Sequence, residues 1–527
     1  MPSSAGPFVG IDFGTTNSTI AYAVPDLNGT MEPRSVAYED RSPRIPTAVF
    51  ITRERQYVVG SLALARGQSQ PDRLYVNFKR DLGNTVRSLD GQVVTGDQLA
   101  VQVIQTLLEH PRALGYTHFT PVVCHPAGMD WELIMAGIMQ NAGPAAILLS
   151  EPEAALYYAH QRSFVFTEKP ETVLLVDFGG GTCDFLFIRV NAVEWKGITR
   201  PSYEFIGDDR IDFGGQDIDR MIRDKLAADW VEGHPALAYL AHRLDQPDMD
   251  WKLMERAKSV KEQLSNDYQR GFVDQVLEIE VDGLPRRSKL RTQMTPNHLC
   301  SLSKDEIQRN FREVLLDRTE SPGALLYRKG SSPEQVTLVL LAGGSSNLPW
   351  VEQQVLPTIL PTLARAHRIK RLPEPEMAVA YGAALYAADV GEGQPRIPRF
   401  LQEDLKLVLG DDRTVALVDH GTPLPVSKSD RTGFRIFSFP ETGTTLTVQL
   451  AAGKGHRASD CRKLSSEPKK ICFDSEIQKG TKMEIRTEID RKGTVHLHIA
   501  KAGPHLWPFG GRDKTKTVLF EPLRLTR

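Results

Sequence analysis

A chain of 527 residues is too long for one hydrophobic core and divides into about two to four domains. Its composition, 41% hydrophobic and 25% charged with a formal net charge of -2, is that of a water-soluble globular protein, and it excludes the broad basic field that nucleic acid or an anionic membrane requires. Cys124, Cys183, Cys300, Cys461 and Cys472 are scattered without metal-ligand spacing, no apolar run approaches the roughly 18 residues of a membrane span, and the N-terminus MPSSAGPFVG lacks a charged-then-apolar leader, which together predict free thiols in a cytoplasmic protein.

In chain order, the first informative stretch is FVGIDFGTTNSTIAYA, residues 8–23: an apolar strand ending in Asp12-Phe13-Gly14, then Thr15 and Thr16, then a second apolar strand. It has a near copy in LLVDFGGGTCDFLFIRV, residues 174–190. There a strand ends at Asp177, Gly179, Gly180 and Gly181 form the turn, and Thr182 and Asp184 precede the next strand. A glycine tip lets a ligand approach the main chain and offers several N–H groups to one anion. One such hairpin is common. Two, about 165 residues apart, predict related halves facing one another across a cleft. The occupant that fits is a polyphosphate with a divalent cation, with Asp12 and Asp177 holding Mg²⁺ through waters. A third glycine turn, VTLVLLAGGSSNLP, residues 336–349, passes from a strand through Gly343, Gly344 and Ser345 to a helix-like WVEQQVL, suited to a base or ribose. Residues 389–404 are Gly/Pro-rich and charged, a linker composition. RTVALVD, FRIFSF, TTLTVQLA, KMEIRTEID and TVHLHIA then alternate apolar and polar residues between turn signals, which predicts a small all-β sandwich over 405–527. The basic stretch 453–470 reads as a solvated loop.

These motifs, in this order, resemble the actin-like ATPase superfamily, and most closely heat-shock chaperones of the DnaK type. GIDFGTTNS and VDFGGGTCD are similar to that family's two phosphate loops, LAGGSSNLP to its adenosine turn, and SEPEAALYYA (150–159) and PEPEMAVAYGAALYAA (373–388) to its connecting helices. NFKRDLG (77–83) looks like the segment with the catalytic lysine, FGGQDIDRMI (213–222) like a further signature, and KEQLS (261–265) like the ribose-contacting segment. The resemblance implies an α/β two-lobed actin-like nucleotide-binding domain over 1–388, followed by the small β-sandwich. It implies an ATP/ADP and Mg²⁺ site that hydrolyses ATP slowly. Lys79, Glu151, Asp177, Thr182 and Asp184 would be catalytic. Asp12, Gly14, Thr15, Thr16, Asn17 and Gly179 to Thr182 would hold phosphates, and Lys261, Ser265, Gly343, Gly344, Ser345 and Glu376 the nucleoside. Taken alone, Lys79 reads as a solvated lysine and Glu151 as an acidic first-turn residue.

The sequence departs from that family in several places, among them Glu376, where an aspartate is usual. Glu262 and Asn347 stand where arginines usually sandwich the adenine, which weakens the expected hold on the base. Around Pro126, in the segment that relays signals between domains, Ile134 or a neighbour replaces an arginine. The sequence ends at PLRLTR with no amphipathic helical stretch for a lid, so a lidless groove that exchanges extended peptide quickly by strand addition is expected. The implied partners are an unfolded peptide or a dedicated protein client, a co-chaperone and an exchange factor. Two other readings share the motifs: a nucleotide-gated interaction scaffold with little turnover, and a small-molecule (sugar) kinase.

Overall fold

The computed structural model describes residues 7–37, 42–116, 118–126, 129–165, 170–195, 198–319, 323–391, 401, 404–409, 411–424, 426–427, 433–453, 455–465, 467–489, 495–502 and 516–520. By internal contacts the chain forms two compact units. The first comprises Met1–Ala127, Gly137–Pro201 and Ile206–Pro395; the second comprises Gly128–Ala136, Ser202–Phe205 and Arg396–Arg527.

The first unit is mixed α/β, and its two largest sheets carry the hairpins of interest. The first sheet uses strands Phe8–Phe13 (β1), Asn17–Pro25 (β2), Met31–Ser35 (β3), Arg44–Pro46 (β4), Val122–His125 (β5) and Ile147–Ser150 (β6), in the order β6–β5–β1–β2–β3 with β4 also on β2. The second uses Glu171–Phe178 (β7), Cys183–Trp195 (β8), Ile198–Ile211 (β9), Leu338–Ala342 (β10) and Ile369–Arg371 (β11), in the order β9–β8–β7–β10–β11. Each sheet is laid out alike. A glycine-tipped antiparallel hairpin, β1–β2 or β7–β8, pairs its first strand in parallel with a later strand, β5 or β10. Each of those strands pairs in parallel with one more. β7, ETVLLVDF, is buried at every position, as a central strand covered on both faces must be. Helices Gly215–Gly233 (α2) and Pro247–Gln269 (α3) bury Trp230, Leu253 and Leu264 in one core with Phe178 and Phe185.

Two further helices each follow the last strand of a sheet in sequence. Glu151–Gln161 (α1) starts directly after β6, with Ser150 as its N-cap in a capping box with Glu153. Ala378–Gly391 (α4) is alanine-rich and buried over nearly its whole length. The two pack together closely enough that a Cβ at Gly382 would collide with the Ala154 carbonyl. α4 runs to Gly391, into the stretch that reads as linker in the sequence; residues 392–400, the rest of that stretch but for its last four positions, lie outside the described ones.

From Leu405 onward the described residues of the second unit are mostly β-strand and turn, with a short turn of helix at Ala458–Asp460. Lys482–Ile489 and Val495–Lys501 alternate strictly, burying Met483, Ile485, Ile489, Val495, Leu497 and Ile499 on one face. Leu405, Leu450, Val448 and Ile471, from the other sheets of this unit, join the same core. The expected strand TTLTVQLA breaks at Gln449 into Gly443–Val448 and Leu450–Ala452, which pair in different sheets. The basic stretch 453–470 is more ordered than a solvated loop. It carries the helical turn, the two-residue strand Arg462–Lys463 and the start of Lys469–Ile477.

Candidate functional site

The two hairpins place matching residues at matching positions. Asp12 pairs across to Thr19 in the first, and Asp177 to Asp184 in the second, each one residue before the turn. The turns meet. A Cβ on Gly180 would strike Thr16 Oγ1, and one on Gly181 would lie 2.6 Å from Thr15 Oγ1, so bare backbone is needed for the approach. The third turn comes in behind. Gly343 adopts φ +82°, which favours glycine, and a Cβ there would collide with Asp177 Oδ1. Its N–H donates to Pro375 O at 2.8 Å, and Ser345 Oγ donates to Gly179 O at 2.7 Å.

Together these turns line a cavity of about 450 Å³. At one end lie Asp12, Gly14, Thr15, Thr16, Asn17, Lys79, Glu151, Asp177, Gly179, Gly180 and Thr182. At the other lie Lys261, Ser265, Gly343, Gly344, Ser345 and Glu376, with Glu262 and Asn347. Of the residues singled out in the sequence, Gly181 and Asp184 do not line it. Asp184 sits just behind and accepts a hydrogen bond from Thr182 Oγ1 at 3.1 Å.

Lys79 is not a solvated lysine. It is 3% exposed, and its Nζ is 2.6 Å from Glu151 Oε1, an ion pair spanning 72 residues of sequence. Burial works against the Lys79 charge, but Glu151, Asp12 and Asp184 outweigh it and hold its pKa above the ordinary value. Glu151 in turn is carried on the first turn of α1, whose N-terminal dipole favours a carboxylate. Burial, then the charge of Glu151, pushes Asp12 up to about 7. Burial pushes Asp177 well above its ordinary value, with Glu151, Asp184 and Asp12 adding to the shift. Several carboxylates crowded in a desolvated pocket raise one another's cost of ionisation, and a cation relieves that cost. Among the described residues no cluster of three or more His, Cys, Asp or Glu has the geometry of direct metal ligation.

Several lining residues carry no signal of their own in the sequence. Asp219, 4% exposed, pairs with Lys261 at 2.8 Å, and Lys261 Nζ also donates to Gly215 O at 2.8 Å. Asp219 lies in FGGQDIDRMI, a stretch recognisable as a motif, though which of its acids turns inward depends on the helical phase of α2. Arg44, Lys258 and Asn266 also line the cavity. At the far end Asn347 Nδ2 donates to Glu376 Oε2 at 3.1 Å, and among the described residues that line the cavity there is no aromatic ring and Arg44 brings the one guanidinium. No helix among the described residues is long and apolar enough to cross a membrane.

The comparisons with known proteins agree with this geometry. Residues 148–505 match the family described as Hsp70 protein. The chain is 25% identical over 509 residues to proteins named "Chaperone protein DnaK" from Thermotoga petrophila, Thermotoga maritima and Thermotoga neapolitana, covering 94% of this chain and 78% of each relative. The family match begins at β6, past Asp12 and Lys79, and the fold brings both of those residues into one cavity with the matched turns. Because that match takes in well over half of the sequence, the chain belongs to the Hsp70 family.

Proposed function

We propose that the chain is an ATP-hydrolysing chaperone of the Hsp70 type. In this reading residues 1–388 form a two-lobed actin-like nucleotide-binding domain, 389–404 a linker, and 405–527 a β-sandwich that takes an extended peptide or a dedicated protein client by strand addition. It works in the cytoplasm with a co-chaperone and an exchange factor. One observation carries the proposal: two matched Asp-Phe-Gly hairpins close on a single cavity that also holds the Lys79–Glu151 pair, in a chain of this family.

The residues fit the groups they would bind. The meeting of Gly180 and Gly181 with Thr15 and Thr16 leaves main-chain N–H groups and hydroxyls, but no extra charge, where phosphates would lie. Asp12 and Asp177, both costly to ionise without a cation, suit Mg²⁺ held through waters. Mg²⁺, when bound, draws charge from the phosphates. Phosphoryl transfer to water needs position and charge stabilisation more than covalent help. Lys79 supplies a fixed positive charge at the γ-phosphate end, its position set by Glu151 and the Phe13 ring 5.9 Å away. As Lys79 turns to the phosphate, Glu151 is freed to orient the attacking water. Thr182, held by Asp184, places its hydroxyl beside the phosphate. Lys261, Ser265, Gly343, Gly344, Ser345 and Glu376 take the nucleoside.

Single-turnover hydrolysis of γ-labelled ATP with Mg²⁺ tests this. Wild type turns over, while Lys79→Ala and Asp177→Asn still bind ATP but hydrolyse it at least about 100-fold more slowly. Wild type that binds without turnover, with both variants indistinguishable from it, would make the cavity a nucleotide sensor and overturn the proposal.

A further inference from the structure

The second phosphate turn can aim its N–H groups at an anion only if its peptide planes are fixed. In a trans peptide the C=O of one residue and the N–H of the next point in opposite directions, so holding a carbonyl outward turns the following N–H inward. Glycine does little to resist a flip of those planes, so each carbonyl needs an external holder. Gly179 O accepts from Gly215 N at 3.0 Å and Ser345 Oγ at 2.7 Å, and Gly180 O accepts from Gln216 N at 2.8 Å. These holders all follow the turn in sequence. The holder of Gly181 O does not. It is Arg80, which donates through Nε at 3.2 Å and through Nη2.

Arg80 follows Lys79 on the short helical turn Phe78–Asp81, in the first half of the chain. The same guanidinium is 2.9 Å from Asp217 Oδ2, which also accepts from Gly214 N at 2.7 Å at the start of α2. Beside it Gln216 Nε2 donates to Thr16 Oγ1 at 2.9 Å and to Asn77 Oδ1 at 2.5 Å. One arginine therefore grips both the last carbonyl of the turn and the acid that caps the helix behind it. A forked guanidinium serves two acceptors at once, as a single ammonium does not.

We infer that Arg80 is a positioning residue: it makes the anion-binding geometry of Gly181 and Thr182 depend on the first half of the chain being closed over the turn, and so sets how long a nucleotide is retained. The inference rests on the nucleotide site proposed above. When the halves part, Gly181 O loses its holder, the Thr182 N–H is free to swing away, and phosphate contacts weaken before the rest of the pocket changes.

The test uses the full chain with Arg80→Ala, Arg80→Lys, Asp217→Asn and the double variant Arg80→Ala/Asp217→Asn. Stopped-flow release of a fluorescent ADP is read beside single-turnover ATP hydrolysis, with circular-dichroism melts to show that each variant folds. Arg80→Ala releases ADP about tenfold faster, with KM raised and the rate at saturating ATP within about twofold of wild type. Arg80→Lys falls between, and the double variant matches Arg80→Ala because both break one link. Release from a folded Arg80→Ala at the wild-type rate, or additive effects in the double variant, overturns the inference. A saturating rate that falls as far as KM rises overturns it too, by placing Arg80 in the chemical step. Wild type that binds no nucleotide removes the proposed site itself, whereas wild type that binds beside an unaltered Arg80→Ala removes only the inference.

Discussion

Single residues decide the chemistry here through desolvation. Asp12 sits at about 7 in the fold against 3.8 for an ordinary aspartate. Between those values the folded protein keeps a proton that the unfolded chain has lost, so stability falls as pH rises through the window and the loss is complete above about pH 7. Nucleotide-free Asp12→Asn is therefore expected to lose less melting temperature than wild type between about pH 5 and pH 8. The far end of the cavity offers a second residue-scale test. Glu262 lines it without a stacking group, and Glu262→Arg supplies one. Calorimetry should find ATP bound about threefold to tenfold more tightly, a gain of the size a cation–π contact gives. Legibility divides sharply at this scale. Asp12, Asp177 and the glycines of all three turns are readable because each is the residue type its local turn demands. Arg80, Asn77, Gln216 and Asp217 are not, because their partners lie 101 to 200 residues away and no local pattern encodes that pairing.

Among elements, α1 and α4 carry the site's architecture. α1 delivers Glu151 from a capped N-terminus, and α4 crosses it at Gly382, where no side chain fits. Tyr157 and Tyr386 stack edge-to-face at 5.4 Å, and the Tyr157 hydroxyl donates to Asp389, locking the crossing along its length. Gly382→Val should cost about 3 kcal/mol from overpacking and lower the melting temperature by several degrees, with loss of ATP binding following from the displaced Glu151. Both helices are visible in the sequence as alanine-rich apolar runs. Their contact is visible only as an unexplained glycine. In the second unit the alternating strands were equally plain, but the break at Gln449 was not: the sequence keeps its apolar content through the point where the chain changes sheets.

At the scale of the whole molecule, two compact units of different architecture predict two unfolding transitions in calorimetry. The cavity proposed for Mg·ATP is lined by residues of the first unit, so at about 100 times its dissociation constant the nucleotide should stabilise that transition by about 2.7 kcal/mol and leave the other where it was. A single merged transition, or equal shifts in both, would show that the units unfold as one. The sequence expects a division near residue 389, where Gly, Pro and charge interrupt the apolar rhythm, whereas the second unit starts its longest stretch at Arg396 and also takes in Gly128–Ala136 and Ser202–Phe205. That α4 continues to Gly391 was not legible, since a helix buried by alanines carries little periodic signal.

The packing of α4 against β1 and β2 has a consequence for synthesis. β1 is finished by a helix that is made long after it: a Cβ on Gly10 would lie within collision distance of the Ala384 backbone. At translation speeds of about 5–20 residues per second, β1 waits on the order of 20–75 s for the helix that covers it. Throughout that time the face of FVGIDF and NSTIAYAVP that α4 covers lacks that helix. A chain of the Hsp70 family is thus, while being made, the kind of client that such chaperones attend.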